Sequence, residues 1–228
     1  MRKFAPVLYD NFNDGTYSVT VGSTSPNGKW TNVFMGDTGS SGVRFTSSTN
    51  SNVMWLIPQA STAPGETHAT ENRTTTTWND FDAIFKMRTL QQLRTGRAPN
   101  TWETAWMIFR YTDDWHHYYF TIKTNGCEFG RKDYFPHIEQ QIYLATTGTP
   151  RATMNQWYKI RILALGNEFK IWVDDSLVVN LKDDGSVGFD GNTSGLPAPP
   201  TAAMYGGSFN PYPEDAEVEF DNLSVLKL

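Results

Sequence analysis

The sequence has little that would support a cysteine-based or histidine-based site. Its 228 residues include one cysteine, Cys127, which excludes an internal disulfide and a zinc site built from several cysteines. The four histidines show no HExxH-type spacing for zinc. Cys127 is most simply interpreted as a small apolar side chain in a strand.

Runs of like charge and long apolar runs are also missing. The net charge is -5 with acids and bases interspersed, so we expect neither nucleic acid nor a membrane as a partner. The apolar runs fall far short of the roughly 20 residues that span a bilayer. The start, MRKFAPVLYDNF, has no apolar segment of a signal peptide. We expect an extracellular protein, and this absence then implies that a leader has been removed.

Short segments of alternating apolar and polar residues are abundant. Examples are DFDAIFKMRTL at 80–90, WYKIRILAL at 157–165 and EFKIWVDDSLVVNL at 168–181, the last with an Asp-Asp turn. Segments rich in Gly, Pro, Ser and Asn predict loops, including the whole of 191–215. No long segment has helical periodicity with a cap. The pattern predicts an all-β fold, an antiparallel two-sheet β-sandwich (jelly roll), in a single domain over residues 1–228. We expect a monomer.

Several motifs occur in a familiar order along the chain. They are LYDNFNDG at 8–15, IFRYTDDWHHYYFTIKTNGCEFGRKD at 108–133, NQWYKIRILALGNEFKIWVDDSLV at 155–178, GSVGF at 185–189 and VEFDNLSV at 218–225. In this order the chain resembles the concanavalin A-like lectin/glucanase superfamily, including laminin-G-like and 3-keto-disaccharide hydrolase-type jelly rolls. The resemblance implies a glycan in the groove of one sheet. It does not select a reaction, because this sandwich occurs in lectins, hydrolases, lyases and binding modules.

Two motifs of the resembling subfamilies are missing from this chain. The Glu-x-Asp-x-x-Glu strand of laminarinase-type members has no counterpart, and the EQQIYL segment lacks the histidine of the alginate-lyase Gln-Ile/Val-His triplet. The resemblance also implies a structural calcium ion that ties the first strand to the last. Asp10 and Asp221 stand at the matching positions, and carboxylate oxygens suit this ion.

The segment TWETAWMIFRYTDDWHHYYFTIK at 101–123 predicts a hairpin with two different faces. Pairing Tyr111 with His117, and Phe109 with Tyr119, places Trp106 and Ile108 between the sheets together with Phe120 and Ile122. The groove face then holds Glu103, His117, Tyr119, Thr121 and Lys123. A slip of one residue would exchange the faces of one strand.

Glu103 is the leading candidate for a catalytic acid. It stands between Trp102 and Trp106, and desolvation by aromatic rings raises the pKa of a carboxyl, as a general acid requires. A glycosidase needs a second carboxyl. Glu66, with His68 two residues further on, is one candidate, and Glu71 and Glu128 are others. The side chains expected to contact the glycan are Trp102, Trp115, His68, Arg88 and Thr121.

Three functions follow from these residues. The first is an endo-acting glycoside hydrolase on a polysaccharide or oligosaccharide, with Glu103 as acid/base or nucleophile. The second is a polysaccharide lyase, in which His117 or Tyr119 removes a proton and Lys123 or Arg88 neutralises a uronate carboxylate. The third is a non-catalytic, lectin-like glycan-binding module. No organic cofactor is implied by any of them.

Overall fold

The computed structural model describes residues 8–134, 139–185 and 200–228. The start of the chain, most of the GSVGF motif and the first part of the loop predicted from 191 lie outside these ranges. The described residues form sixteen strands and one 3-10 helix, Ala202–Tyr205. Within them there is no helix with the length and apolar character needed to cross a membrane.

One large sheet forms the back of the sandwich. We call it the back sheet, and its strands follow the order β14-β13-β12-β7-β16-β5-β4-β2, with β1 paired to β16. The neighbouring strands pair antiparallel. The strands are β1 (Leu8–Asp10), β2 (Tyr17–Val19), β4 (Ser40–Thr46), β5 (Ser51–Ile57), β7 (Phe81–Gln92), β12 (Tyr158–Leu165), β13 (Glu168–Val173), β14 (Ser176–Lys182) and β16 (Ala216–Lys227).

The opposing sheet, which we call the groove sheet, follows the order β11-β10-β9-β8-β15 and is also antiparallel. Single bridges, Ala69 to Glu214 and Trp78 to Gly207, place the pair β3–β6 beside β15. The strands are β3 (Trp30–Met35), β6 (Thr70–Thr74), β8 (Ala105–Asp113), β9 (His116–Lys123), β10 (Gly126–Tyr134), β11 (Glu139–Thr147) and β15 (Ser208–Pro213). The predicted antiparallel two-sheet sandwich is therefore confirmed.

The core lies between the two sheets and is built largely from aromatic rings. Phe109 of β8 stacks on Phe129 of β10 at 6.1 Å, and it meets Phe81 and Phe169 of the back sheet at 5.9 and 6.2 Å. These rings are almost completely buried. Ring pairs at such distances add to the stabilisation from apolar burial alone.

The hairpin of β8 and β9 has a different register from the predicted one. Phe109 pairs with Tyr118, and Ile108 with Tyr119, so β8 is displaced by one residue. Phe120 and Ile122 lie in the core as predicted, but Met107 and Phe109 lie there in place of Trp106 and Ile108. The prediction for the face of β8 was wrong, because alternation alone cannot choose between two faces that are both apolar.

A bulge at Arg110 changes the direction of the side chains along β8. Arg110 has φ 50°, in the left-handed region, and the ladder of β8 with β9 is irregular between Phe109 and Asp113. The Arg110 guanidinium is buried and donates to the carbonyls of Asn79 at 2.9 Å and Gly166 at 2.6 Å. The next residue, Tyr111, therefore faces the groove.

Cys127 is buried in β10, as expected for a small apolar residue. Burial raises the pKa of its thiol to about 11. The thiol is therefore protonated at neutral pH and unsuited to act as a nucleophile.

Candidate functional site

The outer face of the groove sheet carries three connected cavities. We call the middle one, of about 270 Å³, the central cavity. Its walls come from seven strands and the turns beside them, and its lining is Phe34, Glu71, Trp106, Ile108, Tyr111, Asp114, His117, Tyr119, Lys132, Gln141, Tyr212 and Glu214. Aromatic rings beside a few polar groups are typical of a sugar-binding surface.

The second cavity, the tryptophan cavity, measures about 860 Å³. It is lined by Thr67, Thr101, Trp102, Trp106, Lys123, Asn125, Glu128, Gln141, Tyr143, Thr146 and Glu214. The third, the threonine cavity of about 580 Å³, meets the central cavity at Tyr111. The three cavities together form one groove across the sheet.

A cluster of rings forms the floor of the central cavity. The Trp106 ring lies 4.9 Å from that of Tyr119 and 6.0 Å from that of Tyr212. The indole nitrogen of Trp106 donates to the carbonyl of Trp102 at 2.8 Å, which fixes the ring's orientation. This floor exists because the bulged register turns Trp106 away from the core.

Glu71 of β6 is a buried carboxyl with no cationic partner at ion-pairing distance among the described residues. Desolvation raises the pKa of Glu71 to about 8, and the nearby negative charge of Asp114 adds to the effect. The amide of Asn210 donates to Glu71 and partly opposes this rise. Glu71 is therefore largely protonated at neutral pH.

Asp114, in the turn between β8 and β9, has a contrasting environment. It is exposed, and it accepts a hydrogen bond from the hydroxyl of Tyr111 at 2.7 Å. Burial and the charges of Glu71 and Asp114 raise the pKa of Tyr111, which stays a donor. One cavity thus holds a protonated carboxyl and a solvated one, an arrangement that suits acid and base roles.

Glu214 joins the central cavity to the tryptophan cavity. Its pKa is raised by burial, and it accepts a hydrogen bond from the Tyr212 hydroxyl at 2.9 Å. Glu128, in contrast, is paired with Lys123 and accepts a hydrogen bond from Tyr119 at 3.1 Å. Glu128 therefore differs from Glu214 in having a cationic partner.

His117 and Tyr119 lie on the groove face of β9, as predicted. Burial lowers the pKa of His117 to about 4, so its ring is neutral at pH 7 and stacks on Tyr111 at 5.9 Å. The pKa of Tyr119 is raised well above its usual value by burial and by the charge of Glu128. A phenol of this kind is a poor base.

Glu103 does not lie on the groove surface, contrary to the prediction. It is completely buried and lines none of the three cavities. Its carboxylate accepts from Arg94 at 2.5 Å and from Asn100 at 2.6 Å, and Arg94 also binds Asp215 at 2.8 Å. The environment is thus an internal ion network rather than a shell of indole rings.

Glu66 and His68 lie in a loop beside the groove and line none of these cavities. Glu66 accepts the backbone N–H groups of Thr62 at 2.6 Å and Ala63 at 3.0 Å, and these bonds lower its pKa. A lowered pKa is the opposite of what a general acid needs. The His68 ring lies 3.4 Å from Glu66 and 3.3 Å from Asp37.

The expected glycan contacts divide into two groups. Trp102 lines the tryptophan cavity and is exposed, and Trp115 is exposed near the turn, with the Lys132 ammonium 5.1 Å from its ring. Thr121 is buried, bonded to Thr104 and Ala105 at 3.0 Å. Arg88 belongs to the back sheet, where it binds Glu219 at 2.7 Å. The structure therefore places Thr121 and Arg88 out of reach of the groove.

The first strand does pair with the last, since Asp10 of β1 lies opposite Leu223 of β16. Asp10, however, is surrounded by donors: the N–H of Phe12 at 2.9 Å, the indole of Trp30 at 2.7 Å and the amide of Asn27 at 3.2 Å. A calcium shell needs oxygen atoms instead, so this set does not fit the ion. Calcium at Asp10 and Asp221 stays a prediction from the resemblance, which melting with and without EDTA tests.

Several groove residues were not predicted from the sequence. Tyr212 and Glu214 lie on and beside β15, inside a segment that was expected to be a loop because of its glycines and prolines. Asp114, Lys132 and Gln141 had no motif to distinguish them. The signal that was available is the alternation of Phe209 with Asn210 and Tyr212 in that segment.

No family model and no curated protein sequence matches the chain. Solved structures do match. The carbohydrate binding module CBM66 from Bacillus subtilis has a TM-score of 0.55 at 17% identity, over 87% of this chain and 96% of the other. LamA from Zobellia galactanivorans, in complex with laminaritriose and laminaritetraose, has a TM-score of 0.54 at 12% identity, over 98% and 99%.

A third similar structure is a protein of unknown function with a galectin-like fold from Bacillus subtilis. Its TM-score is 0.56 at 9% identity, over 100% of this chain and 98% of that one. At such low identities the likeness concerns the fold. It confirms the antiparallel two-sheet sandwich fold that the sequence predicts.

Proposed function

We propose that the chain is a carbohydrate-active protein that binds a glycan along the groove and hydrolyses a glycosidic bond in the central cavity. One observation carries the proposal: Glu71 is buried with its pKa raised to about 8, in the same aromatic-floored cavity as the solvated Asp114. Glycoside hydrolysis requires such a pair, in which one carboxyl donates a proton and the other stays ionised.

Each group has a role that its environment supports. Glu71 donates the proton to the leaving glycosidic oxygen, because burial keeps it protonated up to about pH 8. Asp114, oriented by the Tyr111 hydroxyl at 2.7 Å, is the carboxylate that activates water or attacks the sugar. The rings of Trp106 and Tyr212 supply faces on which sugar rings stack.

The lining of the central cavity favours an uncharged sugar at the point of cleavage. Among the described residues, three carboxyls, Glu71, Asp114 and Glu214, line it beside one ammonium group, that of Lys132. Glu71 is neutral when protonated, so the solvated Asp114 is the group that disfavours an anionic substituent on the sugar at this point. The fold likeness adds support, since LamA was solved with laminaritriose and laminaritetraose and CBM66 is named as a carbohydrate binding module.

A polysaccharide lyase is the second candidate, and the neutral His117 beside Lys132 and Gln141 is the observation that favours it. A lyase needs a base to remove a proton and a cation to neutralise the uronate carboxylate. The cations expected for this role, Arg88 and Lys123, are bound to Glu219 and Glu128. Hydrolysis is therefore better supported.

The test is a product analysis on a panel of β-glucans, xylans, mannans and uronate-containing polysaccharides. We expect reducing ends without ultraviolet absorbance, and a loss of about 10²–10⁴-fold in rate for Glu71→Gln. Glu168→Gln, an exposed carboxyl on β13 of the back sheet, is the matched control and should keep full activity.

Three outcomes would overturn hydrolysis by this pair. Full activity of Glu71→Gln would remove Glu71 from the mechanism. Products that absorb in the near ultraviolet would identify a lyase. Binding to a polysaccharide without any product would identify a binding module.

A further inference from the structure

The threonine cavity differs chemically from the two other parts of the groove. Its lining is Thr31, Arg73, Thr74, Thr75, Thr77, Asn79, Tyr111, Thr112, Gly206, Gly207 and Ser208. Among the described residues of this lining, Arg73 is the one charged side chain and there is no carboxyl. The central cavity, which shares Tyr111 with the threonine cavity, is lined by three carboxyls.

We propose that the threonine cavity is a further sugar subsite, and that it takes a unit carrying a carboxylate or a sulfate ester, which Arg73 binds. This inference rests on the proposed function, because it assumes that a glycan lies in the groove. It adds a charged substituent to the substrate, at a unit next to the one that is cleaved.

The position of Arg73 follows from the geometry of β6. Glu71 and Arg73 are two residues apart on this strand, so their side chains share a face and their backbones are about 6.6 Å apart. Glu71 lines the central cavity, and Arg73 lines the threonine cavity. A glycan with one unit at Glu71 therefore presents its neighbouring unit to Arg73.

Arg73 is also available for a ligand. Its side chain is exposed, and no carboxylate lies at ion-pairing distance from it within the described ranges. Six arginines of the described ranges do form ion pairs with carboxylates, at N–O distances of 2.5–3.5 Å. They are Arg44, Arg88, Arg94, Arg110, Arg131 and Arg161.

The hydroxyls around Arg73 suit a sugar as well. Thr74 donates to the carbonyl of Thr76 and Thr75 to that of Gly28, both at 2.8 Å. Both protons are thus committed. Thr74 also accepts the N–H of Phe209 at 3.0 Å, whereas the exposed Thr75 keeps oxygen lone pairs for a ligand that donates hydroxyl protons. A guanidinium beside such acceptors binds the planar carboxylate or the sulfate in bidentate form.

Binding measurements on matched polysaccharides test the proposal. The pairs are pectin with free or methyl-esterified carboxyls, carrageenan before and after desulfation, and glucuronoxylan before and after carboxyl reduction. Affinity electrophoresis at fixed ionic strength should show that the wild type prefers the anionic member of at least one pair by tenfold or more. The pair that shows the preference identifies the anion.

Arg73→Gln should abolish this preference and leave affinity for the neutral member within twofold. Lys170→Gln, which removes an exposed charge from β13 of the back sheet, should keep the preference. The subsite is overturned if the wild type shows no preference in any pair, or if Arg73→Gln keeps it. A preference that depends on Arg73 in a protein that yields no product would support the subsite while rejecting hydrolysis.

Discussion

Carboxylates on the outer face of the back sheet and two carboxyls of the central cavity have opposite surroundings. On the back sheet, Glu219 binds the guanidinium groups of Arg44 at 2.8 Å and Arg88 at 2.5 Å. In that cavity, the donors described for Glu71 and Glu214 are neutral, Asn210 for the first and Tyr212 for the second. A buried carboxyl without a cation costs stability, and the acid role that we propose for Glu71 gives a reason for that cost.

The largest loss of folding stability is expected for a substitution in an ion pair whose two partners are both buried. Glu219→Gln leaves Arg88 buried without its partner charge, and we expect a loss of about 3–5 kcal/mol in the free energy of unfolding. Glycan binding by the folded variant should be unchanged. Urea unfolding measures the loss, and a melting curve equal to that of the wild type would contradict this account of the pair.

The two faces of β8 should respond differently to truncation. Phe109→Ala removes a core ring and should cost about 3–5 kcal/mol, whereas Trp106→Ala, on the groove floor, should cost about 1.5–3 kcal/mol. The main loss in Trp106→Ala should be in glycan affinity. Thermal melts and affinity electrophoresis on both variants measure the two losses. A larger loss of stability for Trp106→Ala than for Phe109→Ala would contradict this assignment of the two faces.

Glu71 should make the free energy of unfolding decrease as the pH rises. Its pKa rises from about 4.5 in the unfolded chain to about 8 in the folded one, so the folded state holds the extra proton. The stability that Glu71 contributes is complete below about pH 4.5 and is lost as the pH rises through about 8. Unfolding of Glu71→Gln between pH 5 and 9 should show a weaker decline than the wild type, and identical slopes would contradict the raised pKa.

The smallest effect is expected for a single hydroxyl. Tyr119→Phe removes the hydrogen bond to Glu128 at 3.1 Å and the one from Gln141 at 3.0 Å, while Lys123 still neutralises Glu128. We expect about 1 kcal/mol of destabilisation. A shift in melting temperature as large as that of Phe109→Ala would show that the Glu128 ion pair depends on this phenol.

Alternation along single strands was sufficient to predict much of the sandwich. The apolar faces of β7, β12 and β13 are buried as predicted, and Asp174 and Asp175 form a turn in which both have positive φ. Strict alternation would place Leu177 on the inward face with Val179, but Leu177 is exposed because a bulge near Trp172 shifts the register of β14. The alternation of apolar and polar residues within one strand cannot show where a β-bulge inserts an extra residue into a strand pair.

The site was harder to predict than the fold, for a related reason. Glu103 was selected because tryptophans flank it in sequence, but its environment is set by Arg94, which comes from a loop. Glu71 and Glu128, which were named as candidates, do line the groove, but two further acids there, Asp114 and Glu214, stand in or next to turns, where a surface role is the usual expectation. Their proximity to Glu71 results from the pairing of distant strands.

The Arg110 bulge has a consequence for how the groove tolerates change. Because Arg110 is tied to Asn79 at 2.9 Å and to Gly166 at 2.6 Å, the end of β8 is anchored to loops next to the back sheet. The exposed turn beyond it, which carries Asp114, starts from a fixed point. Insertions or deletions in that turn would then reposition the acid while Tyr111 and the aromatic floor stay in place. Under the proposed function, the position of the carboxylate could therefore change independently of the surface that binds the glycan.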